Sequence, residues 1–196
     1  ILPVNGQILN MEPLEQVNGY QICPGFYMFD GATPIPEGVN FTIHSQGATA
    51  CELLLYHRKA EKPYAVIPFP ENYRIGNVYS MIVFGLNVEE FEYAYRLDGP
   101  YDPKKGLLFD KEHVLLDPYA KAVTGQSTWG KRVSPAGYRA RVVRNNFYWG
   151  AEVCPKIPLE ELVIYELHVR GFTKMAKDVN APGTFAGIQE KIPYLK

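Results

Sequence analysis

Val78-Tyr-Ser-Met-Ile-Val-Phe84, a turn, and then Phe91-Glu-Tyr-Ala-Tyr-Arg-Leu97 decide the fold class of this chain. In both runs apolar and polar residues alternate, as they do along a strand whose side chains point to opposite faces in turn. Upstream, Gly38-Val-Asn-Phe-Thr-Ile-His44 alternates in the same way. Cys51-Glu-Leu-Leu-Leu-Tyr56 and Tyr64-Ala-Val-Ile-Pro-Phe69 read as two more strands, the second with a proline that suits an edge or an end. Between the runs lie Gly31, Pro34, Pro36-Glu37-Gly38, Gln46-Gly47, Gly76-Asn77 and Asp98-Gly99-Pro100, which is turn chemistry. Short strands at this spacing, with no helical period between them, predict an antiparallel β-sandwich of about 100 residues. It is placed at 19–129, after an N-terminal extension over 1–18.

Further along, the pattern changes. Residues 130–158 have weak periodicity and many turn formers, and read as an ordered connector closed by Pro155 and Pro158. Glu161-Leu-Val-Ile-Tyr-Glu-Leu-His-Val-Arg-Gly-Phe-Thr173 reads as a buried strand running into a polar loop, and 185–196 as the start of a helix. One such βα unit cannot bury its own apolar residues, because a parallel strand needs neighbours on both sides. The expectation is the front end of a larger protein, with apolar surface on 161–196 left uncovered and open to self-association. Met11 is a candidate native start.

Composition narrows the function classes. The chain has 196 residues, 46% of them apolar, and only 21% charged, enough for a core and too little charge for disorder. Net charge is −1 with no long run of either sign, so a nucleic-acid partner is not expected. Cys23, Cys51 and Cys154 form no CxxC pair, and His44 and His113 have no partner at metal-ligand spacing, so no metal or cofactor is implied. With no signal-peptide pattern and no run of membrane-spanning length, a reduced, cytoplasmic protein without membrane contact is expected. Asn40-Phe41-Thr42 matches a glycosylation sequon but reads as an ordinary strand.

The segment Phe91-Glu-Tyr-Ala-Tyr-Arg-Leu-Asp-Gly-Pro-Tyr-Asp-Pro-Lys-Lys-Gly106, followed by Leu115-Leu-Asp-Pro-Tyr-Ala-Lys121, resembles the end of the isoamylase-type N-terminal domain. That sandwich precedes the catalytic barrel of glycogen-debranching enzymes, isoamylases and pullulanases of the α-amylase superfamily. Val163–Thr173 is similar to the first barrel strand of these enzymes, and 183–196 to the loop and helix after it. The resemblance implies a mainly β chain: an immunoglobulin-like antiparallel β-sandwich, then the truncated start of a (β/α)8 barrel over 159–196. The function it implies is the N-terminal fragment of an α-1,6-glucosidase that debranches glycogen or related α-glucans. The alternatives are a stand-alone α-glucan-binding module, or the same fragment of a pullulanase or branching enzyme.

Retaining glycoside hydrolysis needs two carboxyl groups flanking the scissile bond, carried at the ends of several barrel strands. In the family these lie on later strands, so no catalytic residue is assigned and the chain alone is expected to be inactive. Glu166, His168 and Arg170, at the exit of the first barrel strand, either brace substrate loops or cap the strand. For glucan binding, the resemblance puts a stacking aromatic just after the Asp-Gly turn, where Tyr101 stands. Its two usual companions are missing: Ala94 occupies the lysine position, and the loop His57–Pro63 has no tryptophan. Trp129 and Trp149 read as anchors of the connector. Asp98, Asp102, Asp110 and Asp117 sit in turn contexts where a carboxylate bonds local backbone.

Overall fold

Alternating strands with one apolar face must find a second apolar face to bury it, and here the two faces come from two sheets. The computed structural model describes residues 12–196 except 127, 129, 132, 135, 136, 145, 146 and 152. They fall into two compact units, 1–146 and 147–196.

In the first unit, one sheet is built from β1 (Glu15–Val17), β2 (Tyr20–Pro24), β3 (Gly31–Ile35), β4 (Gly38–His44), β7 (Arg74–Ile75) and β8 (Val78–Phe84). Its order is β1-β2-β8-β4-β3, with β7 pairing the start of β8. The other sheet takes β5 (Ala50–His57), β6 (Ala65–Pro68), β9 (Phe91–Asp98), β12 (Ala122–Thr124) and β13 (Arg139–Arg141), in the order β12-β13-β9-β5-β6. A two-stranded ribbon pairs β10 (Tyr101–Asp102) with β11 (Leu107–Leu108). All pairings between these strands are antiparallel.

The core lies between the two sheets. Ile22, Val39, Phe41, Ile43, Met81 and Val83 from the first meet Leu53, Leu55, Ile67, Tyr93, Tyr95 and Leu97 from the second. Phe41 stands edge-on to Tyr93, with ring centroids 5.3 Å apart, an arrangement aromatic pairs favour. The two runs that decided the fold, β8 and β9, are consecutive in the chain yet belong to different sheets, so the link between them crosses the sandwich.

Three parts of the sequence reading of this unit change. β1 lies before residue 19, where the sandwich was expected to begin, and pairs with β2. Gly31 and Pro34 read as turn residues but lie in β3. β3 is an edge strand, where a residue without an N–H costs no ladder bond on the open side. β13 lies past residue 129, where the sandwich was expected to end, and its Ala140 pairs with Tyr93 of β9.

In the second unit, 162–168 carry no strand pairing. The run that read as a buried strand over 161–173 instead ends in a short helix, α1 (Val169–Thr173). The physical reason is that a strand exists only through its neighbours, and among the described residues none lies alongside. Val163 and Ile164 are 93% and 79% exposed. The expected helix start is present as α2 (Phe185–Glu190), capped by the Thr184 hydroxyl, which accepts from the Gly187 amide, and followed by α3 (Ile192–Leu195). Trp149 is 72% exposed against Phe147, so it is not an anchor, and Trp129 lies outside the described residues.

Candidate functional site

β9 ends in the Asp98-Gly99-Pro100 turn. The Asp98 carboxylate accepts the Gly99 amide at 2.8 Å, and the Asp98 carbonyl accepts the Thr49 amide at 2.8 Å. Gly99 is required by a close approach: a Cβ there would stand 2.7 Å from the Phe109 ring. That contact seats the turn on Phe109 and turns the following residue outward. Tyr101, paired with Leu108, is 71% exposed. A ring presented in this way offers a flat apolar face without further rearrangement.

Close to the ribbon is a cavity of about 330 Å³, walled by Leu97, Leu107, Leu108 and Phe109, with Gln46 and His113 among its polar groups. His113 Nδ1 and Asp110 Oδ2 are 2.9 Å apart. The Glu112 amide and then His113 hold the Asp110 carboxyl below its usual range. An apolar slot with a few polar groups at its edge is the ordinary form of a small-ligand site.

Next come the positions that the sequence left empty. Ala94 is fully buried on the outward face of the second sheet, packed with Leu54 and Tyr56, so no charge stands at the lysine position. On the same face, Arg96 pairs with Glu52 at 2.9 Å, and the Arg139 guanidinium lies 4.0 Å over the Tyr56 ring. The ladder register sets His57 beside Phe91 and Ala50 beside Asp98. The early loop therefore leaves from the opposite end of β5 to the Asp-Gly turn, roughly 20 Å away at the rise of a strand. At that far end His57 and Tyr64 stack with centroids 4.3 Å apart, a second exposed aromatic pair. Sequence reasoning missed it because it sought a tryptophan; the two rings flanking a short loop were the available signal.

Three of the four turn aspartates bond local backbone amides: Asp98, Asp110 and Asp117. Asp102 instead pairs with Lys105 at 3.6 Å. The sequon is closed: Asn40 is buried, accepting the Phe26 amide at 2.7 Å and donating to Thr42.

In the second unit, the His168 ring accepts the Gly171 amide at 3.0 Å and caps α1. Glu166 and Arg170 are exposed, and no ion pair joins them or His168 among the described residues. The loop between α1 and α2 is tied by Glu190, whose carboxylate accepts the Asn180 and Ala181 amides at 2.8 and 3.2 Å.

Residues 31–120, which hold the Asp-Gly turn, Tyr101 and the cavity, match the family model of carbohydrate-binding module 48 (isoamylase N-terminal domain). Sequence similarity runs well beyond this domain. The chain is 35% identical over 178 residues to the chloroplastic isoamylase SU1 of Zea mays, covering 85% of this chain and 22% of that protein. It is 33% identical over 184 residues to a glycogen debranching enzyme of Yersinia enterocolitica, covering 86% and 26%. The chain thus spans about a quarter or less of the curated relatives it matches. Among solved structures, the Group B Streptococcus pullulanase SAP in complex with maltotetraose matches with a TM-score of 0.62 at 25% identity, over 85% of this chain and 22% of that one. The catalytic module of the pneumococcal glycogen-degrading SpuA matches with a TM-score of 0.64 at 22% identity, over 86% and 26%, a likeness of fold.

Proposed function

We propose that this chain is the N-terminal, non-catalytic part of an enzyme that hydrolyses α-1,6 branch points of glycogen or related α-glucans. The observation that carries the reading is the reach of the likeness to isoamylases and debranching enzymes: 178 residues and 85% of this chain, well beyond the stretch 31–120 that matches the isoamylase N-terminal domain model. On this reading the sandwich is immunoglobulin-like, and 159–196 supply the first βα unit of a (β/α)8 barrel. The nucleophile and acid come from later strands. Glu166, His168 and Arg170 serve as caps and braces at the barrel face, not as chemistry. Three free thiols, two of them buried, favour a reducing compartment such as the cytosol.

The parent's partner is an α-glucan. Tyr101 supplies one stacking face, and without the lysine and tryptophan the sandwich is chiefly structural. A second reading, self-association of the isolated chain, is favoured by the exposure of Leu162, Val163, Ile164 and Tyr165. Sequencing the gene past the codon for Lys196 tests the main reading. A frame that continues into further βα repeats with acidic residues at strand ends supports it; a stop codon directly after Lys196 refutes it. The purified chain is expected to release no reducing sugar from glycogen or pullulan.

A further inference from the structure

Asn18 and Gly19 join β1 to β2 as a two-residue turn, with Val17 opposite Tyr20 on the ladder. Their φ angles, +49° and +87°, are the left-handed ones such a hairpin needs, and asparagine followed by glycine adopts them readily. The Asn18 side chain does more than shape the turn. Its Nδ2 donates to the Val66 carbonyl at 2.8 Å, 48 residues along the chain. Val66 lies in β6, the last strand of the second sheet, while β1 is the last strand of the first. Beside this bond, Val17, Tyr20 and Ala65 pack on the shared core. One side-chain amide thus clasps an edge of one sheet to an edge of the other.

The same pair of residues is chemically labile. Asn18 and Gly19 are both exposed, and open space lies where a side chain on Gly19 would stand. Among the described residues the Gly19 amide donates to no acceptor, so its nitrogen is available as a nucleophile. The other asparagines among the described residues precede Phe41, Tyr73, Val78, Val88 or Ala181, whose side chains crowd the same attack. A three-residue strand at a sheet edge opens locally at little cost, which lets the turn bend toward a reacting geometry. While Nδ2 is bonded to Val66, the side chain is not free to swing onto the Gly19 nitrogen. The clasp therefore guards the amide as well.

We propose that Asn18 is a site of spontaneous covalent modification, in which the Gly19 nitrogen attacks the Asn18 side-chain amide and the clasp between the sheets is lost. The Gly19 nitrogen gives up its proton and bonds to Cγ, the Cγ–Nδ2 bond breaks, and ammonia leaves with that proton. Water then opens the five-membered succinimide at either carbonyl, leaving aspartate or isoaspartate; no oxidant or reductant takes part. Neither product can donate to Val66. A carboxylate is acceptor-only, and set against a carbonyl oxygen it repels. Isoaspartate also lengthens the backbone of a turn that holds only two residues.

Mass spectrometry tests the site, on the 196-residue chain incubated folded or urea-unfolded in mildly alkaline buffer and then digested. Conversion of the Asn18 amide to acid is expected in the folded chain, several-fold slower than in the unfolded one and several-fold faster than at Asn77 or Asn87. No conversion at Asn18 while the unfolded chain converts fully overturns the site, as does conversion no faster than at Asn77 and Asn87. Equal rates folded and unfolded overturn the guard. Amide hydrogen exchange then reads the clasp in N18D, which keeps a residue type that accepts the left-handed turn and lacks the donor. The amides of 14–17 are expected to lose protection several-fold in N18D and further in the converted chain, with Met81 in β8 unchanged. Unaltered exchange of 14–17 in N18D overturns the clasp, even if isoaspartate disturbs the converted chain.

Discussion

β9 and the segment 162–168 are alike in sequence and opposite in fate. Both carry aromatic and large apolar residues, and both read as strands. In β9, Phe91, Tyr93 and Tyr95 are at most 1% exposed. In the other, Val163, Ile164 and Tyr165 are 93%, 79% and 64% exposed. β9 has β5 on one side along its whole length, with β13 and Leu115 on the other. The segment 162–168 has no paired strand. Pattern thus gives a run its capacity to be a strand, and the neighbours decide whether it becomes one.

The largest test of this contrast is in the cores. Phe41→Ala empties a fully buried site beside Phe91 and Tyr93, and is expected to cost about 3–5 kcal/mol in a denaturant melt. Val163→Ala removes side-chain atoms that already face water, and its midpoint is expected to stay within about 0.5 kcal/mol of the parent. Equal losses would mean that 162–168 is packed in solution.

A middle-sized effect is expected at Asn40. Asn40→Ala leaves the Phe26 amide and the Thr42 hydroxyl short of a partner, at a cost of about 1–3 kcal/mol. Expression of the unaltered chain in a glycosylating host is expected to add no glycan at Asn40, because folding closes the site; a mass shift removed by Asn40→Gln would contradict the burial.

These residues also show how far the sequence could be read. Alternation alone located β4, β8 and β9, because each has one face in the core and one facing outward. It missed β3, whose Gly31 and Pro34 look like a turn until the strand's edge position is known. It also missed β13, which is too short to show a period. At the candidate site, Tyr101 was singled out by the resemblance, which puts an aromatic just after the Asp98-Gly99 turn; the exposure of its ring follows from the tertiary seat of that turn on Phe109. Asp117 was read as a backbone-bonding turn residue, which it is. Its bond to Tyr93, 24 residues away, depends on a tertiary contact that no local pattern encodes.

The smallest effect expected is glucan binding by the first unit. One stacking ring is worth about 1 kcal/mol by analogy with aromatic pairs, while association costs at least about 4 kcal/mol. Titration with maltoheptaose, followed by NMR, is expected to give a Kd in the millimolar range or weaker, with Tyr101→Ala changing it by no more than about tenfold. A micromolar Kd abolished by Tyr101→Ala would make the sandwich a dedicated binding module.

The contrast between the two regions is tested most directly by hydrogen–deuterium exchange read segment by segment on the intact chain at one pH. Amides of 91–97 are expected to exchange only through global unfolding of the sandwich, and those of 162–168 at close to unprotected rates. Protection of 162–168 equal to that of 91–97 would contradict the account, because it would require a paired strand where the structure has none.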